Sequence, residues 1–367
     1  MYIAGLLMGI VAGFVMHRSD YCVTGMFRDA ILFKNFFMLR SLLLQVTVSM
    51  IFFETLRRSH FLPLFPFPLL APPALSNIVG GMVFGLGMVL AGGCVVGTLY
   101  KLGAGSLISA TAFLGLILGS ALYAELHPWW ASLVRQTVLT KEALTLPALL
   151  NIDPTLVILT VALPASWLCI RWWQTGRLTI NTSVRGYLQP WKAALILAVI
   201  GASSYVAIGM PMGITNTYAK FAAIIENAII PAHVSRNPFF AAQPLDIVHP
   251  ASGALLHGGA GPALDSIWTI QFPLIAGIIL GSFISALLLK EYLWHTRIPG
   301  RQLAMAFIGG IILALGSRMT PGCNIWHLMG GLPILALSSL LFVIGLLPGA
   351  WLGSKILTRV VMSSSRG

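Results

Sequence analysis

The chain has 367 residues, of which 57% are hydrophobic and 9% charged, with a formal net charge of +12 and a mean hydropathy of +0.88. Soluble domains carry about 25% charged residues, so a soluble enzyme or binding module is excluded and the bilayer is the expected solvent. The positive charge does not indicate nucleic acid, because the basic residues are scattered through short loops, as expected beside an anionic lipid surface; a basic cavity for an anion is a second reading left open.

In chain order, Ile3 to Met16 is predicted to be a first span, with Gly5, Gly9 and Gly13 forming a small-residue face for close helix contact. His17-Arg18 follows this run and no basic residue precedes it, the wrong polarity for a cleaved signal peptide. Ser19-Asp20-Tyr21-Cys22 then leads into a short amphipathic piece ending near Phe33, which is expected to be re-entrant, with Asp20 as its N-cap. Phe36 to Glu54 crosses back, and a proline-rich loop runs from Pro63 to Pro73. Asn77 to Ala91 is a span broken at Gly92-Gly93, Val95 to Leu102 a short piece, and Ser106 to Tyr123 the next span.

A polar connection is expected from Glu125 to Pro154, with Trp129-Trp130 at the interface, followed by a connecting span from Thr155 to Trp173 and a basic linker. Ala193 to Ile208 begins a second half. Gly213 to Ile230 resembles Tyr21 to Met38 in position, with Ile214 where Cys22 would stand. After a polar loop from Pro231 to Asp265, the remaining spans are Ile267 to Leu289, Leu303 to Arg318 and Leu332 to Lys355, with a short piece from Ile325 to Met329.

Long apolar runs without alternation point to helices. The expected fold is an all-α integral membrane protein with about nine transmembrane helices, four short re-entrant helices and two inverted repeats. Residues 1–125 form the first repeat, 126–190 a connecting segment with one span, and 191–360 the second, inverted repeat. Roughly 15 basic residues then fall on one side and about 7 on the other, which puts the N-terminus outside and the C-terminus in the cytoplasm. Arg297 and Arg366 are counted on the cytoplasmic side.

Gly80, Gly81, Gly87, Gly93 and Cys94 align with Gly309, Gly310, Gly316, Gly322 and Cys323 at one constant offset. Cys94 and Cys323 therefore occupy equivalent helix breaks, and Cys22 opens the inserted piece of the first half. Broken backbone is tolerated in a membrane only where it is buried in protein or lines a cavity. Free N–H groups at the starts of the following helices suit an anion, and a thiol is a soft, weak donor suited to polarizable sulfur. Gly92, Gly93 and Gly322 would let a ligand approach the backbone. The alternative is that these thiols are small buried packing residues, which is the preferred reading of Cys169. Arg18 and Arg318 flank the first and last cysteine loops; anion attraction and snorkelling to the interface are both open. Lys101 and His17 are read as interfacial, and His327 as a satisfied polar group. No nucleotide-binding loop, metal cluster or nucleophile–base pair is evident, so no cofactor, metal or enzymatic turnover is expected.

Two motifs, Tyr21-Cys22-Val23-Thr24-Gly25-Met26-Phe27-Arg28-Asp29 and Gly80-Gly81-x4-Gly85-x-Gly87-x4-Gly92-Gly93-Cys94-x2-Gly97-Thr98, resemble the YeeE/YedE sulfur-transport family, and Cys323 matches the family's third cysteine. The resemblance spans nearly the whole chain. It implies a bacterial inner-membrane protein with inverted halves that takes up thiosulfate, with Cys22, Cys94 and Cys323 lining the path and passing the anion along by thiol hydrogen bonds. Thr24 and Asn324, beside those thiols, complete the candidate binding set. The resemblance also implies work with a small TusA-like sulfur carrier. Thr320-Pro321-Gly322-Cys323-Asn324, where many thiosulfate members have Ala-Gly-Gly-Cys, resembles a branch linked to selenium metabolism. Transport of a selenium or other sulfur species, and a sulfur-transfer protein forming a cysteine persulfide, are the alternatives.

Overall fold

A computed structural model describes residues 1–62, 64–249, 253–294 and 298–364. Pro63, Arg297 and Arg366 lie outside the described residues. The helices are α1 (Tyr2–Ser19), α2 (Val23–Phe33), α3 (Phe37–Arg58), α4 (Ser76–Leu90), α5 (Val95–Gly103), α6 (Leu107–Thr137), α7 (Leu146–Leu150), α8 (Pro154–Gln174), α9 (Pro190–Ile208), α10 (Thr215–Ile229), α11 (Pro231–Arg236), α12 (Pro238–Ala241), α13 (Ser266–Leu289), α14 (Gly300–Met319) and α15 (Leu337–Ser364). Nine stretches among the described residues are long and apolar enough to cross a membrane, with α1–α2 and α4–α5 each counted as one broken stretch. The chain is an all-α integral membrane protein. Large apolar side chains face outward, among them Leu156, Leu163, Trp167 and Trp173 on α8; in a bilayer that surface is solvated by acyl chains.

Small residues set the packing, as expected where lipid tails remove any hydrophobic drive between helices. A Cβ on Gly9 would stand 3.0 Å from the Gly277 Cα of α13, so α1 and α13 lie backbone to backbone. Gly85 and Gly349 bring α4 against α15 in the same way, and Gly115 and Gly310 bring α6 against α14. Between α4 and α14 the contacts exchange: Gly87 meets Leu313, and Gly316 meets Phe84. Gly80 meets Thr320, and Gly309 meets Ala91. Each pair becomes the other under the offset that aligns the two glycine-cysteine stretches.

Several expectations change. The polar connection after Tyr123 is helix as far as Thr137, although Pro128 lies inside it. Proline leaves the carbonyl four residues earlier without its helical donor; here the Asn237 side-chain amide donates to the Ala124 carbonyl at 3.3 Å. Trp130 is buried rather than interfacial, and its indole N–H donates to the Met319 carbonyl at 3.0 Å. Asp20 does not cap α2. It is the left-handed C-cap of α1, at φ 47°, and its carboxylate accepts the Tyr100 hydroxyl at 3.0 Å.

The loop after α10 contains α11, α12 and a hairpin of β1 (Leu245–Val248) and β2 (Leu255–Gly258). The fully buried Lys220 ammonium fastens this loop, donating to the Gly261 and Ala263 carbonyls and, at 2.7 Å, to Asp265. The short piece after Cys323 is a π-helical turn, Trp326–Gly331, followed by a tight turn through Ile334, so α15 starts five residues later than the hydropathy suggests.

Candidate functional site

The three candidate thiols stand where helices start. Cys94 is the N-cap of α5 and its sulfur accepts the Gly97 amide at 3.2 Å. Cys22 is the N-cap of α2. Cys323 lies over the amides of Ile325 and Trp326. All three are at most 4% exposed. The breaks require glycine at two points. Gly92 has φ +73°, a region that favours glycine. Gly322 has φ +144°, and a Cβ there would come within 2.5 Å of the Trp326 ring. Gly93 sits against the Thr98 amide, where a Cβ would be 3.2 Å away.

Cys22 and Cys94 come together from different helices. A Cβ on Gly97 would lie 3.1 Å from one sulfur and 3.3 Å from the other, so only a residue without a side chain fits between them. The Asn324 carboxamide is fully buried beside the Cys94 thiol, and neither its oxygen nor its nitrogen makes a well-formed hydrogen bond. The Thr24 hydroxyl on α2 is likewise buried and unpartnered.

Cys323 opens onto a cavity of about 400 Å³ that it lines with Gly322, Arg318, Asn216, Gln271 and Tyr123. Arg318 is 6% exposed; one guanidinium nitrogen donates to the Asn216 side-chain oxygen at 2.6 Å, and the other two have no partner. A second cavity, of about 650 Å³, lies at the other ends of α6 and α13 and is lined by His17, Asp20, Tyr100, Lys101 and Glu291. α5, whose N-cap is Cys94, reaches this cavity at its other end with Tyr100 and Lys101.

Arg18 is not brought to the thiols. Its guanidinium packs over the Phe14 ring and under Gly186 of the connecting segment. The cation within electrostatic reach of Cys22 is Lys101; its ammonium donates to the Gly92 carbonyl at 2.9 Å and ties the end of α5 back to the break. His17 hydrogen-bonds Ser285 at 2.9 Å. His327 contacts Ser339 at 2.9 Å and the Thr320 carbonyl at 3.3 Å, and stacks on Phe342. Cys169 lies apart on α8, beside Thr47 of α3. Sequence reasoning does not single out Gly97 or Asn216. Gly97 stands in the Gly93-Cys94-x2-Gly97-Thr98 motif without a role of its own, and Asn216 lies in the piece that lacks a cysteine.

Nine apolar stretches among the described residues, two of them broken, and buried free thiols at the breaks define a multi-pass membrane protein. The chain matches the family described as sulphur transport over residues 18–352, and it belongs to that family. It is 30% identical over 366 residues to a Spirochaeta thermophila protein named thiosulfate transporter TsuA, covering 97% of this chain and 98% of the relative. A protein of that name from Escherichia coli is 26% identical over 328 residues, 89% of this chain and 86% of the relative. The Escherichia coli probable transporter YedE is 31% identical, but over only 119 residues, 32% of this chain and 28% of that one.

Proposed function

We propose that the protein imports thiosulfate across the bacterial inner membrane, without enzymatic turnover. The anion enters the Arg318 cavity, meets Cys323, passes to Cys94 and Cys22, and leaves by the cavity beside Lys101. The observation that carries this reading is Arg318, a buried guanidinium with two free nitrogens and no acidic partner among the described residues, in the cavity that Cys323 lines. A buried cation is costly unless an anion or strong hydrogen bonds compensate it. Thiols are weak donors, so each station would hold the anion loosely enough to release it.

The exchanged contacts of α4 and α14 support two inverted repeats, in which such a site belongs near the midplane. The distribution of basic residues favours an outside N-terminus and a cytoplasmic C-terminus. On that orientation the Lys101 cavity is the exit, where a TusA-like carrier would receive sulfur.

Growth of a strain dependent on thiosulfate as its sulfur source tests this. Cys94→Ala and Cys323→Ala should abolish growth with the protein still in the membrane, and Arg318→Gln should require more thiosulfate. Normal growth of both cysteine variants would refute the relay. The paired thiols also keep a sulfur-transfer reading testable: a thiolate that takes the outer sulfur of thiosulfate releases sulfite, so a protein mass increased by one sulfur atom with sulfite set free would favour a persulfide over a relay.

A further inference from the structure

We propose that the Tyr218 hydroxyl is a further contact for the anion, donating a hydrogen bond to it between Cys323 and Cys94. This rests on the transport reading above and adds a residue to it. Tyr218 lies on α10, the segment that has Ile214 in place of a thiol, so the cysteine pattern gives no reason to look there. Its side chain is 2% exposed, and its ring packs on Phe113 with centroids 5.5 Å apart. The hydroxyl has no well-formed hydrogen bond.

Its surroundings point to a ligand. Tyr218 belongs to the same buried core cluster as Cys22, Cys94 and Cys323, and Thr98 is beside its hydroxyl. Thr98 donates its own proton to the Val95 carbonyl at 2.7 Å, so it is available to Tyr218 only as an acceptor. The Asn324 amide, also without a well-formed hydrogen bond, stands beside Cys94. A buried hydroxyl left unpaired is expensive, and two such groups around one thiol form a gap in the hydrogen-bonding scheme. A small anion with several acceptor atoms fills it. A phenol is neutral at physiological pH and donates without a counter-charge, so it suits the oxygen end of thiosulfate while the thiols face the softer sulfur end.

The experiment is initial-rate uptake of thiosulfate into liposomes containing the full-length protein, comparing wild type, Tyr218→Phe and Phe113→Leu. Tyr218→Phe removes only the hydroxyl. It should raise the half-saturating thiosulfate concentration about tenfold, as for loss of one hydrogen bond to a charged group, with little change in maximal rate. Phe113→Leu disturbs the ring packing alone and should leave half-saturation near wild type. A Tyr218→Phe half-saturation equal to wild type overturns the inference, as does failure of that variant to reach the membrane, which would make the hydroxyl a folding contact. Wild-type liposomes that take up no thiosulfate bring down the transport reading and this inference together; wild-type uptake with an unaltered Tyr218→Phe overturns this inference alone.

Discussion

Lys220 and Arg318 are both buried, and their hydrogen bonding separates structure from site. Lys220 directs its ammonium to two carbonyls and the Asp265 carboxylate, so its charge is fully compensated and the residue fastens a loop. Arg318 has one partner, Asn216; its other two guanidinium nitrogens are buried without one, in a residue that lines a cavity. Sequence alone does not distinguish them: both are single basic residues in apolar surroundings, and only tertiary partners reveal which charge is already neutralised. Asp20 is ambiguous in sequence for a related reason, since aspartate suits both an N-cap and a left-handed turn, and the Tyr100 hydroxyl bonded to its carboxylate comes from another helix.

A titration outside the spans is open to test at the same scale. His233 on α11 contacts Glu125 of α6 at 2.8 Å and Glu226 of α10 at 3.3 Å. The Glu125 hydrogen bond and charge raise the imidazole above its ordinary value. That stabilisation is complete below the unfolded pKa of about 6.5 and is lost as pH rises through the raised folded value. His233→Gln should therefore lower the melting temperature of the purified protein near pH 5 and leave it unchanged near pH 9. The same decrease at both would show that the pair's charge contributes nothing.

Among elements, glycine spacing was the most legible feature. Gly5, Gly9 and Gly13 predicted a close helix contact, and they meet α13. The constant offset between the two glycine-cysteine stretches reappears as exchanged contacts between α4 and α14. Gly87 and Gly316 occupy equivalent places in that interface, each against the partner backbone, where even a methyl group has no room. Gly87→Val and Gly316→Val should each destabilise the protein by about 1–3 kcal/mol or more, and by similar amounts, measured as loss of folded protein extracted from the membrane. A tolerated change at one and collapse at the other would argue against an equivalent pair. The extension of α6 beyond Pro128 was not legible, because the donor that rescues the proline site is Asn237, far along the chain.

At the scale of the molecule, two cavities lie at opposite ends of α6 and α13, one lined by Cys323 and the other by Lys101, and the Cys22–Cys94 pair is buried in the core. The thiols were legible because they coincide with helix breaks. The close pairing of Cys22 with Cys94 was not, because it depends on how α2 and α5 pack around Gly97. The central claim is that thiosulfate crosses by way of these thiols. The most direct measurement is uptake of labelled thiosulfate by liposomes containing the purified protein or its Cys94→Ala variant, with sulfate and selenite as competitors. Wild-type liposomes should accumulate thiosulfate, an excess of sulfate should leave the rate nearly unchanged, and the variant should behave like empty liposomes. Wild-type liposomes no faster than empty ones, or a Cys94→Ala variant as fast as wild type, would contradict it.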